Sequence, residues 1–282
     1  MFELTFLNFI IIAGFGFCIG IMGSVLGIGG GAFMVPFFVL LFKIPIHNAI
    51  AVSLIAIVAL SSTVASVNVE KGLANMRLGV ILEMLMVIGS ITGALIVMGL
   101  DEGFVRMVFG FVLFPMSILM FMKTRKASRK KDEEIDCSTE EFKETLSCMF
   151  YDPSITKDVK YSVKNIFPAS LISFFGGSLA GLLGIGGGIV QVPLMNLICK
   201  VPMKAAAATS NFMIGVSACA SAFIFFRRGF VINELAGVIV IGVVFGALTG
   251  LRVLRKSKSH KIQMLFAALL FMAGIKMLMK SF

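Results

Sequence analysis

The chain has 282 residues, of which 58% are hydrophobic and 14% are charged, and its formal net charge is +10. Its mean hydropathy of +1.01 exceeds what a soluble domain of this length could bury, so the composition predicts an integral membrane protein. The basic residues lie in short clusters between apolar runs, as topology signals do, and this excludes a nucleic-acid-binding function.

Apolar runs follow one another along the whole chain. In the first half they cover residues 4–26, 28–42, 47–68, 78–100 and 104–122, and in the second half 166–183, 185–199, 205–226, 235–254 and 262–279. Most of them reach the roughly 20 residues that cross a bilayer as a helix. The second run of each half is shorter and contains a proline, Pro36 or Pro193, so it is either a bent short span or one arm of a re-entrant hairpin.

The two halves are related by duplication. The stretch from Leu26 to Gly31, which ends in three glycines, recurs 157 residues later from Leu183 to Gly188. The same offset matches Val35-Pro36 with Val192-Pro193 and continues without a gap as far as Gly93 and Gly250. Duplicated apolar halves with glycine-rich breaks at corresponding places are typical of secondary transporters, and the breaks indicate the binding site.

The pattern predicts three parts: a first membrane repeat over 1–122, a charged cytoplasmic connector over 123–165 and a second membrane repeat over 166–282. Five passes per half collect more lysine and arginine residues on one side of the membrane than four passes do, which favours inverted repeats. We therefore predict an all-α polytopic membrane protein in the cell (inner) membrane. Each half has four full spans and one short proline-broken helix, and both termini lie outside the cell.

The two triple-glycine tracts are the first candidate site. They consist of Gly29, Gly30 and Gly31 in the first half and Gly186, Gly187 and Gly188 in the second. Glycines can unwind a membrane helix and leave N–H groups unpaired, and the start of the next helix adds a positive dipole end suited to an oxyanion. The alternative is that these glycines only permit close helix packing.

Polar side chains accompany the tracts. Gln191 lies on the short second-half segment, Thr209, Ser210 and Asn211 lie near the start of the following helix, and Ser53 is the first-half counterpart of Ser210. These uncharged groups could orient an anion without retaining it. Alternatively, the hydroxyls bond to their own helix, and Asn211 joins two helices.

Glu83 is an ionisable residue inside a predicted span, and it aligns with Val240 rather than with another carboxylate. A carboxylate at depth is costly unless it is protonated or paired, so Glu83 is a candidate for a coupling proton. The alternative is a glutamate close to the interface, near Arg77 or water. Neither His47 nor His260 has metal-ligand spacing, and no dinucleotide or Walker motif is present, so we predict no enzyme activity, metal or cofactor.

The glycine tracts with their Val-Pro pairs, together with Ala208-Thr209-Ser210-Asn211, resemble the TauE/SafE sulfite exporter family, also called the toluene-sulfonate uptake permease family. The resemblance covers nearly the whole chain outside the connector, and it implies transport of sulfur-containing or related organic anions. The first repeat departs from similar proteins in reading Ala51-Val52-Ser53-Leu54 where they often carry polar residues. This departure argues against a site built equally from both repeats.

We therefore predict a secondary transporter that moves sulfite, another sulfur oxyanion or an organosulfonate by alternating access, coupled to a proton or sodium gradient. The alternative is a passive anion channel or a non-cycling membrane scaffold of the same fold. The expected partners are the small anion and membrane lipids. The residues are compatible with import and with export, and with any oligomeric state.

Overall fold

The computed structural model describes residues 6–27, 29–129, 148–152, 157–163, 165–253 and 260–279. Ten helices and one β-hairpin are present among these residues. The helices are α1 (Phe6–Leu26), α2 (Gly31–Leu41), α3 (Ile46–Glu70), α4 (Met76–Val97), α5 (Glu102–Arg129), α6 (Ile166–Leu183), α7 (Gly188–Leu197), α8 (Met203–Arg227), α9 (Asn233–Val253) and α10 (His260–Met279). Each helix coincides with one of the ten predicted apolar runs, so the prediction of a helical polytopic membrane protein is confirmed.

Six of the described helices are long and apolar enough to cross a membrane, namely α1, α3, α4, α6, α8 and α9. Helices α5 and α10 have 28 and 20 residues and pack against each other. Helices α2 and α7 have only 11 and 10 residues. At roughly 1.5 Å per residue they are about 15 to 16 Å long, half the thickness of the hydrocarbon layer.

Each short helix folds back along the helix before it. The rings of Phe15 in α1 and Phe37 in α2 stack with their centroids 3.4 Å apart. In the second half, Ser173 of α6 donates a hydrogen bond to Gln191 of α7 at 3.3 Å. The short helices are therefore antiparallel to α1 and α6, and each forms one arm of a helical hairpin.

The first helix of each half packs mainly against a helix of the other half: α1 packs against α9, and α6 packs against α4. Along the first pair, Gly242 lies against Ala13 and Gly250 lies against Ile21. Both residue numbers increase together along the contact, so α1 and α9 run in the same direction. Glycines allow this close approach because they place no side chain between the two backbones.

The pair formed by α4 and α6 repeats this geometry, with Gly177 against Met86 and Gly181 against Ser90. Helices α4 and α6 are therefore parallel as well. Inverted repeats require such packing. Because consecutive helices alternate in direction, α6 runs parallel to α4 and opposite to α1, so the two halves have opposite directions. The inverted orientation of the halves in the bilayer stays a prediction.

The predicted connector contains some regular structure. Helix α5 continues to Arg129, past the predicted boundary at residue 122, and strands β1 (Cys148–Asp152) and β2 (Lys157–Tyr161) form an antiparallel hairpin. Residues 130–147, including the acidic block, lie outside the described residues. The division into 1–122, 123–165 and 166–282 stays a prediction.

Candidate functional site

Both triple-glycine tracts interrupt the helical backbone. Glycines at six positions have a positive φ: Gly27 (68°), Gly29 (79°), Gly30 (75°), Gly184 (66°), Gly186 (83°) and Gly187 (68°). This conformation costs an L-residue about 1 to 2 kcal/mol, which explains why glycines occupy both breaks. The breaks end α1 and α6, and the short helices α2 and α7 begin immediately after them at Gly31 and Gly188.

The two breaks meet at the centre of the molecule. A Cβ atom on Gly31 would collide with the carbonyl oxygen of Gly184, so the two backbones touch. Gly29 and Gly186 both pack against the same two side chains, Ile57 of α3 and Ile214 of α8. Each of these isoleucines is the twelfth of 25 residues in its helix, so the breaks lie level with the middle of α3 and α8.

Two equivalent serines connect the halves at the breaks. The Ser53 hydroxyl donates to the carbonyl oxygen of Gly184 at 2.9 Å, and the Ser210 hydroxyl donates to that of Gly27 at 3.0 Å. Both serines are completely buried. Each half therefore holds the end of the broken helix of the other half, and the two hydroxyls are hydrogen-bonded within the protein.

The second break leaves backbone donors unpaired. The amide of Gly188 donates to the carbonyl oxygen of Gly186 at 2.9 Å, whereas the amides of Gly186, Gly187 and Ile189 have no acceptor among the described residues. Gly186 and Gly187 are buried. Buried N–H groups without a partner are rare in proteins, and donors at the positive end of a helix can attract an anion.

Comparison with known proteins identifies the family. A family model described as "Sulfite exporter TauE/SafE" matches residues 12–277, which is nearly the whole chain. The chain belongs to the TauE/SafE sulfite exporter family. It is therefore an integral membrane protein of a transporter family, as the resemblance of its glycine tracts predicted.

Two TauE/SafE relatives align with this chain over most of their length. The probable membrane transporter protein YunE of Bacillus subtilis is 27% identical over 96% of this chain and 98% of its own, and the probable membrane transporter protein MJ0441 of Methanocaldococcus jannaschii is 24% identical over 94% and 93%. The Arabidopsis thaliana sulfite exporter TauE/SafE family protein 6 is 35% identical over 34% of this chain and 22% of its own. No solved structure matches the chain.

In this TauE/SafE protein, Gln191 lies beside the second break and is completely buried. Its side-chain nitrogen donates to the sulfur of Met86 at 3.2 Å, and its side-chain oxygen accepts from Ser173 at 3.3 Å. A thioether is a weak acceptor, so the amide of Gln191 is poorly satisfied in this conformation. The Met86 methyl group lies directly against Gly187.

Two further predicted residues are buried with side-chain oxygens that lack a hydrogen-bond partner among the described residues. Glu83 is 5% exposed and Asn211 is 1% exposed, and both carboxylate oxygens and the amide oxygen have no hydrogen-bond partner among the described residues. Thr209 differs from them because its hydroxyl accepts from the backbone N–H of Asn75 at 2.9 Å, at the start of α4. Thr209 therefore supports the connection between α3 and α4.

Sequence reasoning missed a chain of buried serines between α4 and α8. The Ser90 hydroxyl donates to the carbonyl oxygen of Ser217 at 2.8 Å, and the Ser221 hydroxyl donates to that of Ser90 at 3.0 Å. The available signal was the four-residue spacing of Ser217 and Ser221, which places both on one face of α8. Within the described ranges, no cluster of three His, Cys, Asp or Glu residues could hold a metal ion.

Proposed function

We propose that this protein is a secondary transporter that moves sulfite, another sulfur oxyanion or an organosulfonate across the membrane by alternating access. The observation that carries the proposal is the second break, where buried, unpaired amides begin a helix near the middle of the molecule. The description of the TauE/SafE family and the name of the Arabidopsis relative agree with this class of solute, and the names of YunE and MJ0441 agree with membrane transport.

The donors at the break suit a solute that must be released again. Several N–H groups and the helix dipole attract an oxyanion, each through a partial charge rather than a full one. Helices α4, α6, α7 and α8, which surround the second break, carry basic residues only in their first or last two positions: Arg77, Lys204 and Arg227. No lysine or arginine of these helices lies deep enough to hold the anion permanently.

The cavity beside the second break is too small for a sulfur oxyanion. The cavity beside Gly187 and Ile189 has a volume of about 10 Å³, the lower limit for one water molecule. A larger cavity of about 700 Å³ lies between α3 and α8 and includes Val58 and Gly215, the neighbours of Ile57 and Ile214. A sulfur oxyanion therefore reaches the amides only after these helices move, as alternating access requires.

Glu83 is the proposed coupling residue. Burial of an ionised carboxylate without hydrogen bonds costs several kcal/mol, whereas burial of the neutral acid costs less. Glu83 should therefore be protonated when an anion occupies the site, so that one proton crosses the membrane with the anion. The charged groups on the packing helices are Arg77, Lys204 and Arg227 near their ends. A proton on Glu83 also removes the repulsion between its carboxylate and an incoming anion.

Flux into proteoliposomes tests the proposal, with sulfite, thiosulfate, sulfate and a sulfonate as solutes and imposed proton or sodium gradients. We expect accumulation against a concentration gradient, driven by the proton gradient, and loss of this accumulation in Glu83→Gln with exchange at equal pH retained. Exclusively downhill flux would support the passive channel instead. The absence of flux for every sulfur anion would contradict both transport functions.

A further inference from the structure

Apart from Ser53, whose counterpart is Ser210, the duplication pairs the buried polar residues near the second break with residues near the first break that are apolar or lack a side chain. The pairs are Glu83 with Val240, Gln191 with Met34, Asn211 with Leu54, Ser173 with Gly16, Ser217 with Leu60, Ser221 with Val64 and Ser90 with Ala247. The backbone scaffold is therefore duplicated, but buried amide and acid side chains accompany the second break only.

On the polar side, the lining is in contact with the break. Met86 bridges the two, since its methyl group lies against Gly187 and its sulfur accepts from the amide of Gln191 at 3.2 Å. Gln191 belongs to the first turns of α7, three residues after Gly188. A small displacement of Met86 would allow the amide of Gln191 to donate to a solute held at the start of α7, in exchange for a weak bond to sulfur.

The same side holds two buried polar groups without partners. Asn211 lies one turn before Ile214, which packs on Gly186, and Glu83 lies one turn before Met86. Both residues are more than nine-tenths buried, and their oxygens have no partner among the described residues. A buried amide or acid group without a hydrogen-bond partner is unfavourable, and a ligand with donor and acceptor atoms would remove this cost.

At the first break, most of the corresponding positions carry hydrocarbon side chains. Gly30 packs against Ile19 and against the end of the Met34 side chain. The counterparts of the unpartnered groups, Leu54 and Val240, offer no donor or acceptor. An anion that left water for this break would find backbone amides and the hydroxyls of Ser24 and Ser210, which already donate to backbone carbonyl groups, but no buried amide or acid side chain. Its desolvation would therefore be poorly compensated.

We infer that only the second break binds solute and that Gln191 is a solute-binding residue, with Asn211 and Glu83 completing the same site. The inference rests on the proposed function and deepens it. The first break then has a structural role, because it gives the first hairpin the same backbone geometry as the second hairpin. One chain binds one anion, although it contains two similar glycine breaks.

Substitutions at two symmetric positions, Gln191 and Met34, test the inference. Sulfite, thiosulfate, sulfate and a sulfonate are titrated calorimetrically into purified protein, and variants are then compared with the anion that the unaltered protein binds most tightly. Gln191→Met introduces the residue found at the counterpart position, and we expect at least a tenfold loss of affinity. Met34→Leu, an equally buried change at the first break, should alter the affinity less than twofold. The stoichiometry should be one anion per chain.

A second variant covers the case in which Gln191→Met does not fold. Gln191→Leu keeps a buried side chain of similar size but removes the amide donor and acceptor, so it should also weaken binding at least tenfold, with an unchanged circular dichroism spectrum. Equal losses in the Gln191 and Met34 variants, or two anions per chain, would overturn the inference and leave the proposed function intact. If the unaltered protein binds none of the four anions, the proposed function fails, and the inference fails with it.

Discussion

At the scale of single residues, Ser53 and Ser210 have the same role in the two halves. Each donates to a carbonyl oxygen that closes a broken helix in the other half. Both were predicted as solute ligands from their polarity and position, and solute contact by either stays a prediction. Their partners could not be derived from the sequence, because the bonded groups are 131 and 183 residues away along the chain.

Ser53→Ala and Ser210→Ala should lower stability by similar amounts. Each change removes a donor from a buried carbonyl group, which costs about 1 to 3 kcal/mol. Thermal unfolding in detergent measures the effect, and Ser66→Ala is the control because its hydroxyl lies on an exposed part of α3. Unchanged unfolding temperatures in both variants would contradict the structural role.

Gly187→Ala should weaken anion binding more than Gly30→Ala does. The two glycines have positive φ angles of 68° and 75° and each packs against a buried side chain, so the strain should be comparable. Only Gly187 borders the polar lining. Equilibrium binding and thermal unfolding are measured for both variants. A greater loss of affinity in Gly30→Ala, at equal stability, would contradict the assignment of solute to the second break.

At the scale of elements, the sequence predicted the helices well, because each long apolar run is bounded by charged residues or glycines. The short helices α2 and α7 were also predicted, although their direction was not. Contacts such as Phe15 with Phe37 make them hairpin arms, and these contacts depend on packing that periodicity does not contain. The hairpin Cys148–Tyr161 was missed because its strands are short and partly charged.

Two glycines of α9 should respond in opposite ways to alanine. Gly246 lies against the carbonyl group of Phe17, so an added methyl group must separate α9 from α1, and overpacking of this kind costs about 1 to 3 kcal/mol. Gly237 has open space beside it, and Gly237→Ala should stabilise the helix by up to about 1 kcal/mol. Thermal unfolding of both variants is the measurement. Equal effects would contradict the close packing of α1 and α9.

At the scale of the whole molecule, the constant offset of 157 residues predicted a two-fold arrangement, and the exchange of α1 and α6 between the halves agrees with it. The sequence could not locate the breaks relative to each other. Their contact depends on the crossing of α3 and α8 at Ile57 and Ile214, which follows from tertiary packing alone. The difference in polarity between the two breaks could be predicted in part, because Glu83 aligns with the apolar residue Val240.

The inverted orientation predicts opposite exposure of two loops. In a cysteine-free protein, Asp101→Cys should react with a membrane-impermeant thiol reagent added to intact cells, because the loop between α4 and α5 lies outside. Lys71→Cys, in the loop between α3 and α4, should react only after the cells are opened. Both side chains are exposed, so access to the reagent depends on the side of the membrane. The reverse pattern would contradict the orientation.

The central claim is that backbone amides at a helix break bind the transported anion. Hydrogen–deuterium exchange of the full-length protein, with and without a saturating concentration of an anion that it transports, measures those amides directly. We expect slower exchange in peptides that cover Gly184–Gln191 and little change in peptides that cover Gly27–Met34. Protection confined to other regions, or equal protection of both breaks, would contradict it.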